Sequence, residues 1–248
     1  MFSIKLNDSK ELANAITIIS EFITEATFLV QKEGLKLVAM DPANISMVIL
    51  NVLPSSFTEY QVEQESEITV NVESLKQALK RAKQNEAIAM SLDRNKLKIL
   101  ISGRSKKSFY IPLLEREHKE RKIPSLTFEA TVELDSNEFR DYIEDASIAS
   151  DAVSFEAEKN SFVISAGTAG NKVHIELLKS DDALVQLSAG DAVRSIYSVE
   201  YLKKMTKACA LSDTAVIQFA KDYPMRLDFK SIDKMQMSFV LAPRIENK

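Results

Sequence analysis

Short motifs in this chain recur at a constant offset, and that periodicity constrains the fold more than any other feature. Asp8-Ser9-Lys10-Glu11-Leu12 returns as Asp135-Ser136-Asn137-Glu138-Phe139, so that position 8 maps onto position 135. Val72-Glu73-Ser74-Leu75-Lys76 returns as Val199-Glu200-Tyr201-Leu202-Lys203 at the same offset, and Leu35-Lys36-Leu37-Val38-Ala39 as Phe162-Val163-Ile164-Ser165-Ala166. Phe109-Tyr110-Ile111-Pro112 resembles Phe239-Val240-Leu241 at a slightly larger offset. Matches in order at one offset indicate a duplicated domain, because shared composition alone does not hold a register.

Each half divides again. An alternating stretch runs into a helix-period stretch at 2–20, 66–82, 128–148 and 192–208. Two or three strand-like runs follow each helix, such as Ala87–Leu92, Lys96–Ile101 and Ser108–Leu113. Asp8 with Glu11, and Asp135 with Glu138, have the spacing of a capping box. Apolar faces follow at Leu12, Ile16, Ile19 and Ile23, then Leu75, Ala78, Leu79 and Ala82. Phe139, Ile143 and Ala146, then Leu202, Met205 and Cys209, repeat them. The pattern predicts an α+β chain of four strand–helix–strands units paired into two similar domains, residues 1–115 and 128–248. Between them, at 116–127, lies a connector. Glu115 to Lys122 are titratable without interruption and carry no apolar stripe, so this run is expected to be solvated, and Ile123-Pro124 to be extended.

Composition excludes some classes of function. At 248 residues, 45% hydrophobic and 27% charged, the chain has enough apolar material for a sizeable core and is no disordered tail. Cys209 is the single cysteine, which excludes intrachain disulfides and suits a reducing compartment. The first residues lack a basic stretch followed by an apolar one, so no signal peptide is expected, and no run reaches the roughly 18 apolar residues of a membrane span. A net charge of −4 does not by itself suggest a nucleic-acid partner.

No phosphate loop, zinc-ligand spacing or nucleophile elbow is present, so neither catalysis nor a cofactor nor a metal is expected. His118 falls in the charged connector and His174 on a strand surface; Cys209 reads as core. Gly167-Thr168-Ala169-Gly170 reads as a turn, and Asp181-Asp182 is a weak cation signal. The lysines are more telling. Lys76, Lys80 and Lys83 lie at i, i+4 and i+7 on the second helix, within about 60° of the wheel. Lys203 and Lys207, flanked by Lys204, take matching places on the fourth. A duplicated basic stripe is what repeated contact with phosphates requires.

Several segments resemble the sliding clamps of the proliferating cell nuclear antigen family. Gly34-Leu35-Lys36-Leu37-Val38-Ala39-Met40-Asp41-Pro42-Ala43-Asn44-Ile45-Ser46 is similar to that family's strand–loop–strand signature, and Leu241-Ala242-Pro243-Arg244-Ile245-Glu246 to its C-terminal motif. Tyr201 to Ala208 and Ile123-Pro124 agree as well, and the similarity spans the chain, favouring an archaeal member. The resemblance implies a DNA-clamp fold in which subunits close into a trimeric ring, with helices lining the hole and sheets outside. It implies a processivity factor, not an enzyme, that encircles duplex DNA without reading sequence and tethers DNA polymerase, flap nuclease and DNA ligase. An ATP-dependent clamp loader would open the ring. The compartment would be the cytoplasm in an archaeon and the nucleus in a eukaryote, with no membrane partner. The alternative is a clamp-fold scaffold or checkpoint clamp subunit that does not slide.

Carried over by motif, the DNA-facing residues are Lys76, Lys80, Lys83, Lys203, Lys204 and Lys207. A pocket for partner peptides would be lined by Met40, Ile123, Pro124, Phe128, Pro224, Ala242, Pro243 and Ile245, with Met47 nearby. Ring closure would pair two edge strands, Arg104–Ile111 with Lys106, Lys107 and Phe109, and Asn171–Leu178 with Val173, Ile175 and Glu176. Three departures stand out. The first helix has Ala13, Asn14 and Ser20 where eukaryotic members are basic, the third is acidic with Asp141, Glu144 and Asp145, and Asn44 replaces a histidine common beside the pocket while Arg121 stands where an apolar connector residue is usual. Lys106 and Lys107, set against Glu176 and Lys172, do not form a self-complementary pair of edges. That leaves a homotrimer and a heterotrimer of related chains both open, with a lean to the latter.

Overall fold

The computed structural model describes residues 2–115, 122–168 and 170–245. Residues 116–121 of the charged connector, with His118 and Arg121, lie outside them, as do Ala169 and Glu246.

Four strand–helix–strands units follow one another along the chain. The first is β1 (Phe2–Leu6), α1 (Lys10–Ile19), β2 (Glu25–Gln31), β3 (Gly34–Met40) and β4 (Ser46–Val52), with a further short strand β5 (Glu59–Val62). The second is β6 (Ser66–Asn71), α2 (Val72–Leu79), β7 (Ala87–Asp93), β8 (Lys96–Ser102) and β9 (Lys106–Pro112). The third is β10 (Ala130–Asp135), α3 (Ser136–Ala149), β11 (Ala152–Ala157), β12 (Ser161–Thr168) and β13 (Asn171–Leu178), again with an extra strand, β14 (Leu184–Ala189). The fourth is β15 (Val193–Ser198), α4 (Val199–Met205), β16 (Thr214–Phe219), β17 (Met225–Ser231) and β18 (Met235–Leu241).

The chain forms two compact units. Unit 1 takes the residues up to Pro42, Val48–Ile123 and Ser231–Met237; unit 2 takes Ala43–Met47, Pro124–Lys230 and Ser238 onward. Unit 1 contains the strand orders β5-β1-β7-β8-β9 and β6-β2-β3-β4, and unit 2 contains β14-β10-β16-β17-β18 and β15-β11-β12-β13, except that Ser46 and Met47 of β4 fall in unit 2 and Ser231 of β17 and Met235–Met237 of β18 in unit 1. The sequence offset survives in the strand register. Phe28 pairs with Leu37 and Ile68, and Phe155 pairs with Ile164 and Ser195.

The helices begin where the sequence places them, with different chemistry at each start. Asp135 caps α3, accepting from Asn137 N at 2.8 Å and Glu138 N at 3.0 Å. Asn71 caps α2, accepting from Ser74 N at 2.9 Å. At α1 the cap position is Ser9, and Asp8 accepts from Lys10 N at 2.9 Å. Glu11 completes no capping box there, because its carboxylate pairs with Lys234 at 2.6 Å.

Helix ends depart from the periodic pattern. α2 stops at Leu79, making Lys80 its C-cap and leaving Lys83 beyond it. The turn closes through Arg81 N to Ala78 O and Ala82 N to Leu79 O, a tighter 3₁₀ geometry, and Asn85 then takes the left-handed φ of 68°. α4 likewise ends at Met205 and continues as a 3₁₀ segment, Thr206–Leu211, which carries Lys207 and Cys209. Cys209 is buried, and that burial pushes its thiol up to about 12.

The duplicated cores are filled differently. Unit 2 packs Phe139, Phe155, Phe162, Tyr197 and Phe219 together, with ring centroids 5.6 to 6.3 Å apart. Their counterparts in the first half, at the same offset, are Leu12, Phe28, Leu35, Val70 and Leu92. Of that more aliphatic set, Leu12, Phe28 and Leu35 border a void of about 30 Å³ lined only by apolar side chains of α1, α2 and six strands. Among the described residues, no helix is long and apolar enough to cross a membrane.

Candidate functional site

In unit 1, α2 lies against α1, and Lys76 reaches across the seam. Its ammonium donates to Ser20 Oγ at 3.3 Å and forms an ion pair with Glu73 one turn earlier. Lys76 and Gln77 hydrogen-bond the Glu73 carboxylate and hold its pKa below the usual glutamate range. Lys80 and Lys83 are exposed. In unit 2, α4 lies against α3, and Lys203 donates to Ser147 Oγ at 3.3 Å while pairing with Glu144 at 2.8 Å. Lys204 turns back along α4 to Glu200 at 2.8 Å and sits 5.2 Å from the centroid of the Tyr201 ring. Lys207 is exposed on the 3₁₀ segment. Each unit thus has an exposed basic helix face, but Lys83 and Lys207 stand outside α2 and α4, so neither stripe is a continuous helical row.

Two of the edge strands are free to pair along one side. β9 closes one sheet of unit 1 and β13 one sheet of unit 2. On β9, Lys107 and Phe109 are half-buried whereas Lys106 is exposed; on β13, Val173 and Ile175 are half-buried and Glu176 is exposed. Lys107 pairs with Glu86 at 3.1 Å, and the same carboxylate accepts from Lys83 N, which sets the end of α2 beside β9. α3 flanks β13, where Asn171 Nδ2 donates to Ile148 O at 3.3 Å. Gly167, at the turn into β13, has a φ of +91°, and a Cβ there would lie 2.0 Å from Asn171 O. Asp181 accepts from Leu178 N at 2.8 Å and so serves this hairpin's far end.

The residues assigned to the peptide pocket divide between the units. In unit 1, Met40 ends β3 half-buried, and Ile123 is 46% exposed. In unit 2, Pro124 is exposed, Phe128, Pro224, Ala242 and Pro243 are half-buried, and Ile245 is 74% exposed. Met47 is only 5% exposed and is a core side chain. β15 brings two of these segments together. Tyr197 OH donates to Tyr223 O at 2.8 Å, fixing the residue before Pro224, and Ile196 O accepts from Arg244 N at 2.7 Å. The tail is further held by Ala242 N to Ile45 O at 3.0 Å and by Arg244 to Asp151 at 2.9 Å. Asn44, beside this contact, takes a φ of 57°, which asparagine tolerates at little cost.

The profile of the proliferating cell nuclear antigen N-terminal domain matches residues 1–112, and that of its C-terminal domain matches residues 122–245. The chain belongs to the proliferating cell nuclear antigen family. A relative from Nanoarchaeum equitans, named DNA polymerase sliding clamp, is 42% identical over 241 residues, covering 96% of this chain and 97% of the relative. One of the same name from Thermococcus onnurineus is 33% identical over 99% of both chains. Among solved structures, that of the Thermococcus kodakaraensis antigen superposes with a TM-score of 0.92 at 27% identity, covering 98% of this chain and all of that one. A chain of the PCNA2–PCNA3 complex of Sulfolobus tokodaii gives 0.89 at 26%, over 98% and 99%. The α+β clamp fold is therefore that of the family.

Sequence reasoning did not single out Glu73 as a lysine partner, nor Ser147, and it met Ser20 only as a missing basic residue. The repeat held the signal: Ser147 follows Ser20 at the same offset by which Lys203 follows Lys76.

Proposed function

We infer that the chain is a DNA polymerase sliding clamp, a processivity factor that acts by tethering and not by catalysis. The observation that carries this is the match of both halves, along the whole chain, to archaeal relatives bearing that name. Three subunits close a ring around duplex DNA, with residues 1–115 and 128–248 as its two clamp domains and 116–127 as the connector. Lys76, Lys80, Lys83, Lys203, Lys204 and Lys207 face the duplex; their contacts with phosphates are independent of sequence, so linkage holds the ring while it slides. Polymerase, flap nuclease, ligase and an ATP-dependent loader dock through short peptides, and linkage to the ring raises their effective concentration at DNA. In an archaeal cell this takes place in the cytoplasm.

The test is topological. Clamp loaded on nicked circular DNA should stay bound through washing and be lost once the circle is linearised. Retention on linear DNA would identify static binding and favour a clamp-fold scaffold.

Edge pairing between β9 of one subunit and β13 of the next would build the ring. The flanking helices give this junction its specificity. The end of α2 and β9 carry Arg81, Lys83, Lys106 and Lys107, whereas α3 beside β13 carries Glu138, Asp141 and Asp145. Phe109 on one edge meets Val173, Ile175 and the 73% exposed Ile148 on the other. The acidic α3 is thus a junction feature, and a head-to-tail homotrimer is self-complementary. The structural likeness to a complex of two different chains keeps the heteromeric ring as the second reading.

Client peptides insert apolar anchors among Met40, Ile123, Pro124, Phe128, Pro224, Ala242, Pro243 and Ile245, with Met47 supporting from the core. Exchanging Ile123 and Pro124 for alanine, or deleting Ala242–Ile245, should weaken binding of a client peptide at least tenfold while the ring stays assembled, as isothermal titration and native mass spectrometry would report. If the peptide protects neither segment from hydrogen exchange, the pocket is elsewhere.

A further inference from the structure

The two lysines that reach across a helix seam are built into the same device twice. In unit 1, Ser20 Oγ donates to Thr17 O at 2.6 Å, and its lone pairs accept from the Lys76 ammonium at 3.3 Å. In unit 2, Ser147 Oγ donates to Glu144 O at 2.6 Å and accepts from Lys203 at 3.3 Å. Every member of the second set follows its counterpart at the constant offset of the repeat, from Thr17 and Glu144 through Ser20 and Ser147 to Lys76 and Lys203. With its proton committed to a backbone carbonyl, each hydroxyl is left to act as an acceptor for the ammonium. A carboxylate completes each set from a different element. Glu73 comes from the lysine's own helix, Glu144 from the neighbouring one. Both carboxylates are about half exposed, at 52% and 53%. Exposed ion pairs of this kind add little to stability, so their recurrence calls for another explanation.

We propose that Glu73 and Glu144 are resident anions that exchange with DNA phosphates for Lys76 and Lys203, while Ser20 and Ser147 position both lysines for that exchange. The proposal rests on the DNA-facing assignment of these lysines and adds to it. An exposed lysine that binds phosphate displaces a condensed counterion, which both tightens binding and makes it salt-dependent. A lysine that arrives already paired displaces less, because its carboxylate is set free and must be solvated or neutralised in turn. Each phosphate contact then becomes a near-balanced swap of one anion for another. Successive phosphates pass the lysine with little change in free energy, which is what a ring that must move freely along DNA requires. The hydroxyl keeps the ammonium at the seam in either state, so the swap needs no large side-chain excursion.

The test uses the full-length clamp and duplex DNA. Salt dependence of binding to a short blunt duplex, together with one-dimensional diffusion of loaded clamp on stretched DNA, should be compared across three variants. Glu73→Gln with Glu144→Gln should bind more tightly at low salt, steepen the log–log salt slope by up to about 0.9 per lysine released, and diffuse more slowly. Lys76→Ala with Lys203→Ala should flatten the slope and diffuse faster. Ser20→Ala with Ser147→Ala should weaken binding at an unchanged slope, since position is lost but charge is not. If the lysine variant responds and the glutamine variant does not, the resident-anion role is overturned while the DNA-facing reading stands. If neither responds, the DNA-facing reading itself fails. Unaltered affinity in the serine variant would remove the positioning role.

Discussion

Reversing the charge of α3 with Asp141→Lys and Asp145→Lys should convert the ring to monomers in native mass spectrometry at micromolar concentration. Both residues are exposed on α3, which flanks β13, so the fold itself should be little affected. In the proposed ring they would meet Arg81 and Lys83 of the next subunit, and like charges juxtaposed across an interface cost several kcal/mol. Every 1.4 kcal/mol is about a tenfold loss in affinity, enough to take a trimer below its assembly range. Adding Arg81→Glu and Lys83→Glu should restore the trimer by exchanging the signs. A quadruple variant that stays monomeric would refute the junction, and an unmodified chain that never trimerises alone would favour a ring completed by related chains.

The other large effect concerns stability. Phe155 is fully buried, with Phe139, Phe162, Tyr197 and Phe219 around it at 5.6 to 6.3 Å. Phe155→Ala should cost about 3–5 kcal/mol, the lost transfer energy plus the cavity left by neighbours that cannot collapse. For a chain of this size that lowers Tm by roughly 10 °C, readable by calorimetry. Tyr197→Phe should cost only about 1 kcal/mol, because it removes a single hydrogen bond, to Tyr223 O at 2.8 Å, and leaves the ring in place. Equal losses from the two substitutions would mean that the aromatic cluster is not the centre of the unit 2 core.

Local periodicity carried most of the fold. The offset between Leu35–Ala39 and Phe162–Ala166 reflects strands whose partners are also duplicated, so a sequence repeat becomes a register repeat. Where helices stop was less legible. Apolar spacing at Leu75, Ala78, Leu79 and Ala82 fits an α-helix or a 3₁₀ turn equally well, since i+3 and i+4 contacts share one face, and so periodicity alone carries the helices on to Lys83 and Lys207, beyond where they end. The lysines were visible as charges, but their partners were not. Ser20 and Lys76 are 56 residues apart in the chain, and only packing of α1 against α2 brings them within 3.3 Å. Similarly, Glu11 fits a capping box locally, yet a contact with Lys234 takes its carboxylate.

The membership of Ser231–Met237 in unit 1 bears on how the protein is made. Leu53 N donates to Lys234 O at 2.8 Å, Ser56 Oγ donates to the same carbonyl at 2.6 Å, and Lys234 reaches Glu11. These bonds tie the earliest part of the chain to a segment near its end. During synthesis, residues up to Ile123 leave the ribosome well before that segment exists. A domain ordinarily folds as it emerges, but unit 1 reaches the ribosome's exit with part of its structure still untranslated. It must wait, partly formed, until residues 231–237 are delivered, so the two units are not completed one after the other.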